Sequence, residues 1–122
     1  MMEIGMGIHG EPGVRRGPLA SAASIAEEIV GSLLGDLPLD DGTEAAVLVN
    51  GLGATPKEEL YILYRSVHTT LEHAGIRIRR AWIGEFATSL EMAGASISIM
   101  RLDDELDRLL CAPANSPLLH PW

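Results

Sequence analysis

Apolar residues recur along the chain with two spacings. A spacing of three or four positions predicts helices, and alternation predicts strands. From Ser21 to Leu34 apolar residues recur every three or four positions, the spacing of an amphipathic helix, which stops near Gly35. A second helix begins at Thr55-Pro56-Lys57-Glu58, where a cap residue precedes proline and an acid follows the cap by three positions, and it ends at Gly75. A third, short helix is predicted from the cap Asp103 through Leu110.

Four other segments predict strands, because their apolar residues alternate with polar or small ones or form a brief unbroken run. They are Glu3–Ile8, Ala45–Val49, Ile76–Ile83 and Ala95–Leu102. The second of them contains no polar residue and ends at the turn Asn50-Gly51, which favours a buried, central strand. Residues 84–94 are predicted to be a polar connector, either a long hairpin loop or a loop with a short helical turn.

The order of these elements is strand, helix, strand, helix, strand, strand, short helix. It predicts an α/β (α+β) fold, a two-layer sandwich with one mostly four-stranded sheet, two main helices on one face and a short C-terminal helix. Prolines at positions 113, 117 and 121 predict an irregular tail over residues 112–122. We therefore expect residues 1–122 to form a single domain.

Composition narrows the class of partner. The formal net charge of −8 argues against nucleic acid and anionic membranes, because binding phosphates requires a surplus of Lys and Arg on one face. No apolar run approaches the roughly 18 residues of a membrane span, and the amino terminus lacks the order of a secretory signal. The single cysteine, Cys111, excludes an internal disulfide. We expect a cytoplasmic protein that binds a small molecule or another protein.

His9 is the main candidate for chemistry, because it lies in a loop that can neither continue a strand nor start a helix. A neutral imidazole there can accept a proton, bind a metal or add to a carbonyl. Metal binding is the weakest option, since no second ligand stands at helical or turn spacing. Glu11 either orients the imidazole or takes part in the loop's own hydrogen bonding. The other histidines are predicted to be surface residues: His68, His73 and His120.

Glycines at positions 5, 7 and 10 match the spacing of dinucleotide-binding loops. That motif works only where its last glycine opens a helix whose amino end faces the pyrophosphate. Pro12 and Gly13 block such a helix, so the glycines are expected to give a ligand or a second domain close access to the backbone. The amides of residues 50–56 are a weaker candidate, for an oxyanion at a helix start, because turn and cap chemistry already explains these residues.

Three motifs in the chain are long and unusual in composition. They are Gly7-Ile8-His9-Gly10-Glu11-Pro12-Gly13, Val49-Asn50-Gly51-Leu52-Gly53-Ala54-Thr55-Pro56 with Glu59-Leu60-Tyr61, and Thr88-Ser89-Leu90-Glu91-Met92-Ala93-Gly94. In this order they resemble the substrate-binding K subunit of dihydroxyacetone kinases, and the likeness extends from about Glu3 to Pro117.

This resemblance implies a role for His9. In that family the histidine of the first motif adds through a ring nitrogen to the ketone, and His9 is the matching position. The chain would then be the substrate-binding domain of a glycerone kinase, holding dihydroxyacetone as a hemiaminal for phosphorylation to dihydroxyacetone phosphate. The alternative is a non-catalytic regulatory or dimerisation module that binds a small ketone or a partner protein. A structural remnant without a ligand is a third, weaker hypothesis.

The resemblance also implies that the chain is the carboxyl-terminal half of a K subunit. The amino-terminal half, with a glycine-rich loop, a second histidine and an aspartate, would precede it. No cofactor is expected on this chain, because the phosphoryl donor, ATP or phosphoprotein-linked ADP, is held by a separate L domain or subunit. The expected partners are dihydroxyacetone, the amino-terminal K domain, the L component and a second copy in a homodimer. Alone, the chain is not expected to be a competent kinase.

Overall fold

The computed structural model describes residues 1–117, which form a three-stranded sheet, a two-stranded hairpin and three helices. In chain order the elements are β1 (Met2–Ile4), β2 (Arg15–Gly17), α1 (Ala22–Asp36), β3 (Glu44–Gly53), α2 (Lys57–His73), β4 (Arg77–Gly84), β5 (Ala93–Leu102) and α3 (Asp104–Leu110). The mixed α/β class predicted from the sequence is confirmed.

Strand β3 is the centre of the main sheet, as its unbroken apolar run predicts. The strand order is β4-β3-β5, with β3 parallel to β4 and antiparallel to β5. Helix α2 makes the crossover that a parallel pair requires. Pairing with β5 runs along the whole of β3, from Glu44 opposite Leu102 to Gly53 opposite Ala93. Pairing with β4 stops at Asn50, opposite Gly84, so residues 51–53 are held by β5 alone. The predicted turn at Asn50-Gly51 is wrong, because β3 continues through both residues to Gly53.

The hydrophobic core lies between this sheet and the two long helices. Ala45, Val47 and Val49 alternate along one face of β3 and are fully buried. Against them pack apolar residues of α1 and α2, which include Ala26, Val30, Leu60, Val67 and Leu71. The opposite face is lined by Ala46, Leu48, Trp82 and Met100 and forms an open apolar groove of about 570 Å³ beside α3. The predicted two-layer arrangement, with both main helices on one face, is confirmed.

The main sheet within residues 1–117 has three strands, whereas the sequence predicted about four. The predicted strand Glu3–Ile8 is shortened to Met2–Ile4 and pairs with Arg15–Gly17 in a separate hairpin. Gly5 has φ +77°, which ends the extended backbone directly after Ile4. Strand β2 was not predicted, because three residues of sequence Arg-Arg-Gly carry no apolar alternation.

The connector between β4 and β5 is not the hairpin loop that the sequence allowed. Both strands flank β3, so residues 85–92 cross from one edge of the sheet to the other past the end of β3. The predicted caps of α1 and α3 are confirmed, since Ser21 and Asp103 accept hydrogen bonds from the amides of Ser24 and Leu106. The predicted cap of α2 is wrong, because Pro56 takes that position without a side-chain bond. Residues 112–117 are irregular, and the rest of the predicted tail, with His120, lies outside the described residues.

Candidate functional site

His9 lies in the loop between β1 and β2, and two carboxylates fasten the ends of that hairpin. Glu3 accepts a hydrogen bond of 2.6 Å from the Gly13 amide and another of 2.6 Å from Arg16 Nε. These two donors, the amide first, hold the pKa of the Glu3 carboxyl below its usual value. Arg15 binds Glu28 of α1 through two hydrogen bonds of 2.6 Å, which attaches the hairpin to the helical layer.

Inside this frame, residues 7–11 form a compact turn around Glu11. The Gly7 amide donates to the Glu11 carbonyl (3.0 Å), and the Gly10 amide donates to the Gly7 carbonyl (3.0 Å). The His9 amide donates to Oε2 of the Glu11 carboxylate at 3.2 Å. Gly10 has φ +89°, a conformation that favours glycine. The loop thus has a defined backbone, as its motif predicts.

The imidazole of His9 projects from this turn into solvent, with 86% of its side chain exposed. Its Nδ1 lies 3.8 Å from Oε1 of Glu11, within the range of an electrostatic contact and too far for a hydrogen bond. Within residues 1–117, Nε2 of His9 makes no hydrogen bond or ion pair. An exposed neutral imidazole with one open nitrogen can act as a nucleophile or a base toward a ligand delivered from outside the loop.

A second polar centre, Asn50, organises the other two motifs. It is 5% exposed and stands at the end of the apolar run of β3. Its Oδ1 accepts from the amides of Phe86 (2.8 Å) and Ala87 (3.1 Å), and its Nδ2 donates to the Ala87 carbonyl (2.7 Å) and to Ser96 Oγ (3.4 Å). The sequence interpretation treated Asn50 only as a turn residue. A lone amide directly after an unbroken apolar run is the signal that could have identified it.

Beyond Asn50, the same two segments are joined by two further hydrogen bonds. The Gly53 amide donates to Thr88 Oγ1 (2.8 Å), and the Ala54 amide donates to the Met92 carbonyl (2.7 Å). Gly53 has φ +67°, and a Cβ there would overlap the Met92 carbonyl oxygen. The motifs at 49–56 and 88–94 therefore form one unit, whereas the His9 loop is held by Glu3, by its own turn and, through Arg15, by α1.

The other candidates from the sequence that lie in the described residues are the amino end of α2 and two histidines on the same helix. The amino end of α2, a candidate oxyanion site, carries Glu58 and Glu59 in its first turn, and their negative charge opposes an anion there. His68 Nδ1 lies 3.2 Å from Glu72 Oε2 one turn along α2, and its ring meets Tyr64 edge to face. His73 is exposed in the last turn of the same helix.

Neither a metal centre nor a membrane helix is found in the part of the chain that the structure describes. Among residues 1–117, no three His, Cys, Asp or Glu side chains cluster in a way that could hold a metal ion. None of the helices in that range is both long and apolar enough to cross a bilayer.

Comparison with known proteins places the chain in a family. The model of the Dak1 domain matches residues 1–118. The dihydroxyacetone-binding subunit DhaK of PTS-dependent dihydroxyacetone kinase 2 from Listeria innocua is 45% identical over 95% of this chain, which covers 35% of that protein. The L-erythrulose kinase of Pectobacterium atrosepticum is 43% identical over 96% of this chain, which covers 20% of that enzyme.

A solved structure gives the same relationship in three dimensions. One such structure is described as concerning the regulation of the dha operon of Lactococcus lactis. It superposes on this chain with a TM-score of 0.80 and 34% sequence identity, and the match covers 88% of this chain and 35% of the other. The chain thus spans about a third or less of each of these three proteins. Because the family model matches nearly its whole length, the chain belongs to the Dak1 domain family.

Proposed function

We propose that this chain is the ketone-holding domain of a glycerone-type kinase, in which His9 binds the substrate covalently. The observation that carries the proposal is the setting of His9: an exposed imidazole on a turn closed by backbone hydrogen bonds, in a chain of the Dak1 family. His9 is the catalytic and substrate-binding residue in this proposal, and Asn50 is outside the chemistry.

The proposed step is an addition that balances without a further reactant. The lone pair of an imidazole nitrogen attacks the carbonyl carbon, a C–N bond forms, and the π electrons of the C=O bond move to oxygen, which takes up a proton. The other ring nitrogen releases its proton to water. The product is a hemiaminal. It cannot lose water to become an imine, because the attached nitrogen keeps no proton, so the adduct is reversible.

The substrate class follows from this chemistry. A free, unhindered carbonyl is needed, which favours short hydroxyketones such as dihydroxyacetone and excludes glycerol. Among relatives, one is named for dihydroxyacetone and another for L-erythrulose, both short hydroxyketones. An anchored ketone presents its terminal hydroxyl in a fixed pose, which lowers the entropic cost of transferring a phosphoryl group to it.

Phosphoryl transfer itself is assigned to elements outside this chain. We propose an amino-terminal K domain that supplies acid and base groups, and an L domain or subunit that holds ATP or phosphoprotein-linked ADP. The chain's span of about a third of the Listeria subunit leaves room for such elements. A homodimer and a cytoplasmic location belong to the same proposal.

A regulatory module is the second candidate, and the Lactococcus lactis structure related to operon regulation supports it. The two relatives compared by sequence are both named as kinases or kinase subunits, so the kinase is the function we favour. Such a module would bind a small ketone at the same site or bind a partner protein. An activity assay distinguishes the kinase from the regulatory module. Only the kinase, as the full-length protein supplied with a phosphoryl donor, should phosphorylate the bound ketone.

Native mass spectrometry tests the proposed adduct. Addition of dihydroxyacetone is expected to raise the mass of the chain by one whole ketone, whereas a lysine Schiff base would show that mass less one water. Lys57 is the chain's single lysine, so Lys57→Ala is a matched control that should keep the adduct. His9→Ala should lose it, and glycerol should give none. An adduct that persists in His9→Ala, or that disappears in Lys57→Ala, would contradict the proposal.

A further inference from the structure

We infer that Glu11 is a positioning residue for His9, whose carboxylate keeps Nδ1 on the inner side of the turn and leaves Nε2 open for the ketone. The orientation is a property of the free chain. Its consequence for catalysis rests on the proposed function.

Glu11 is tied to His9 through both oxygens of one carboxylate. Oε2 accepts from the main-chain amide of His9 at 3.2 Å, and Oε1 lies 3.8 Å from Nδ1 of the same residue. Because the first contact anchors the carboxylate to the backbone of His9, the second oxygen stays beside the ring of His9. The main chain of Glu11 is fixed as well, since its carbonyl accepts from the Gly7 amide at 3.0 Å.

Gly7 shows that the turn is built around this carboxylate. A Cβ at position 7 would overlap Oε2 of Glu11, and it would also come within 2.9 Å of the Glu11 Cβ. The backbone of Gly7 does not have a positive φ, so glycine is required there for space and not for conformation. Any side chain at position 7 would therefore displace the carboxylate from its place beside His9.

A carboxylate beside one ring nitrogen favours the tautomer that carries its proton on that nitrogen. Here the favoured tautomer has its proton on Nδ1 and its lone pair on Nε2. Both side chains are largely exposed, at 86% and 61%, so the effect is limited to that of a surface charge pair and is weakened by salt. Glu11 thus biases the ring toward a nucleophilic Nε2, and it does so without touching the ketone.

Nitrogen-15 NMR of the full 122-residue chain, without ketone, measures this tautomer directly. In the unmodified chain the Nδ1-protonated share of His9 should be larger than in a Glu11 variant that lacks the charge. In Glu11→Gln, whose amide oxygen can still accept from the His9 amide, the ratio of the Nδ1-protonated to the Nε2-protonated tautomer should fall about two- to fivefold, and the ketone adduct should weaken by a smaller factor. His68, which has its own carboxylate partner, serves as the control in the same spectrum and should not change.

An unchanged His9 tautomer in Glu11→Gln, with the amide signals of Gly7 and Gly10 also unchanged, would overturn the inference. If the turn opens in that variant, the salt dependence of the unmodified chain provides the test. About 1 M NaCl should reduce the Nδ1-protonated fraction of His9, and a fraction that does not change with salt would overturn the inference. A normal tautomer combined with no ketone adduct in the full-length subunit would refute the proposed function and leave the role of Glu11 standing.

Discussion

At the scale of single residues, Glu3 holds together the hairpin that presents His9. Its carboxylate binds the Gly13 amide on one side of the loop and Arg16 on β2, and both contacts need the ionised form to be at full strength. The Gly13 amide, and after it Arg16, lower the pKa of this carboxyl. The geometry of the loop is therefore linked to pH.

The sign of that linkage gives a prediction. A carboxyl whose pKa is lower in the folded than in the unfolded chain stabilises the fold above its unfolded value of about 4.3, and this contribution is lost as the pH falls through the lower, folded value. We expect the Gly13 amide signal to shift below about pH 4, as the hairpin loosens. NMR titration measures this shift. In Glu3→Gln the shift should be reduced, and an equal shift in both proteins would contradict the role of Glu3.

Single residues also show where prediction from sequence succeeded and where it failed. His9 was found because its glycines and proline dictate a loop by conformation alone, and the structure confirms the loop. Asn50 was missed as an organising residue, since its partners are 36, 37 and 46 positions away along the chain. Local patterns carry backbone preference, whereas contacts of that range exist only once the strands are paired.

At the scale of elements, residues 85–92 depend on one buried side chain. Asn50 satisfies the amides of Phe86 and Ala87 and the carbonyl of Ala87 where the connector passes the end of β3. Removing it would leave these backbone groups without their partner in a part-buried position, and an unsatisfied buried polar group costs about 1–3 kcal/mol.

We therefore expect Asn50→Ala to lower the free energy of unfolding by about 2–4 kcal/mol, as measured by urea denaturation. Ser96→Ala is the matched control, because Ser96 makes only the long 3.4 Å contact with Asn50, and its cost should stay below about 1 kcal/mol. Hydrogen exchange at Phe86 and Ala87 should quicken in Asn50→Ala alone. Equal losses in the two variants would contradict the assigned role.

The elements themselves were predictable to different degrees. Helices α1 and α2 and the apolar part of strand β3 were located correctly, because their periodicity or unbroken apolar run extends over several turns or residues. The end of β3 was not, since Asn50 and Gly51 pair within the sheet and do not form a turn. The order of the strands in the sheet could not be predicted from the sequence. Two alternating segments separated by a loop suggest a hairpin, but β4 and β5 lie on opposite sides of β3, since α2 brings β4 back in parallel and leaves the other edge free.

At the scale of the whole molecule, the two sets of motifs have different settings. Residues 49–56 and 88–94 are joined into one unit at the end of the main sheet. The His9 loop lies on a separate hairpin, attached to α1 by Arg15 and Glu28. In the proposed kinase the hairpin holds the ketone, and the acid, base and phosphoryl donor arrive from domains beyond this chain. The chain alone should therefore bind ketone without phosphorylating it.

The most direct test of this account is the bond between His9 and the ketone. Dihydroxyacetone labelled with carbon-13 at the carbonyl is added to the chain labelled with nitrogen-15 in histidine, both alone and within the full-length K subunit. The account predicts a tetrahedral carbon with a one-bond coupling to a ring nitrogen of His9, a coupling that the free ketone hydrate cannot show. The coupling should vanish in His9→Ala. A full-length subunit that binds the ketone without this coupling, or a coupling that survives in His9→Ala, would contradict the account.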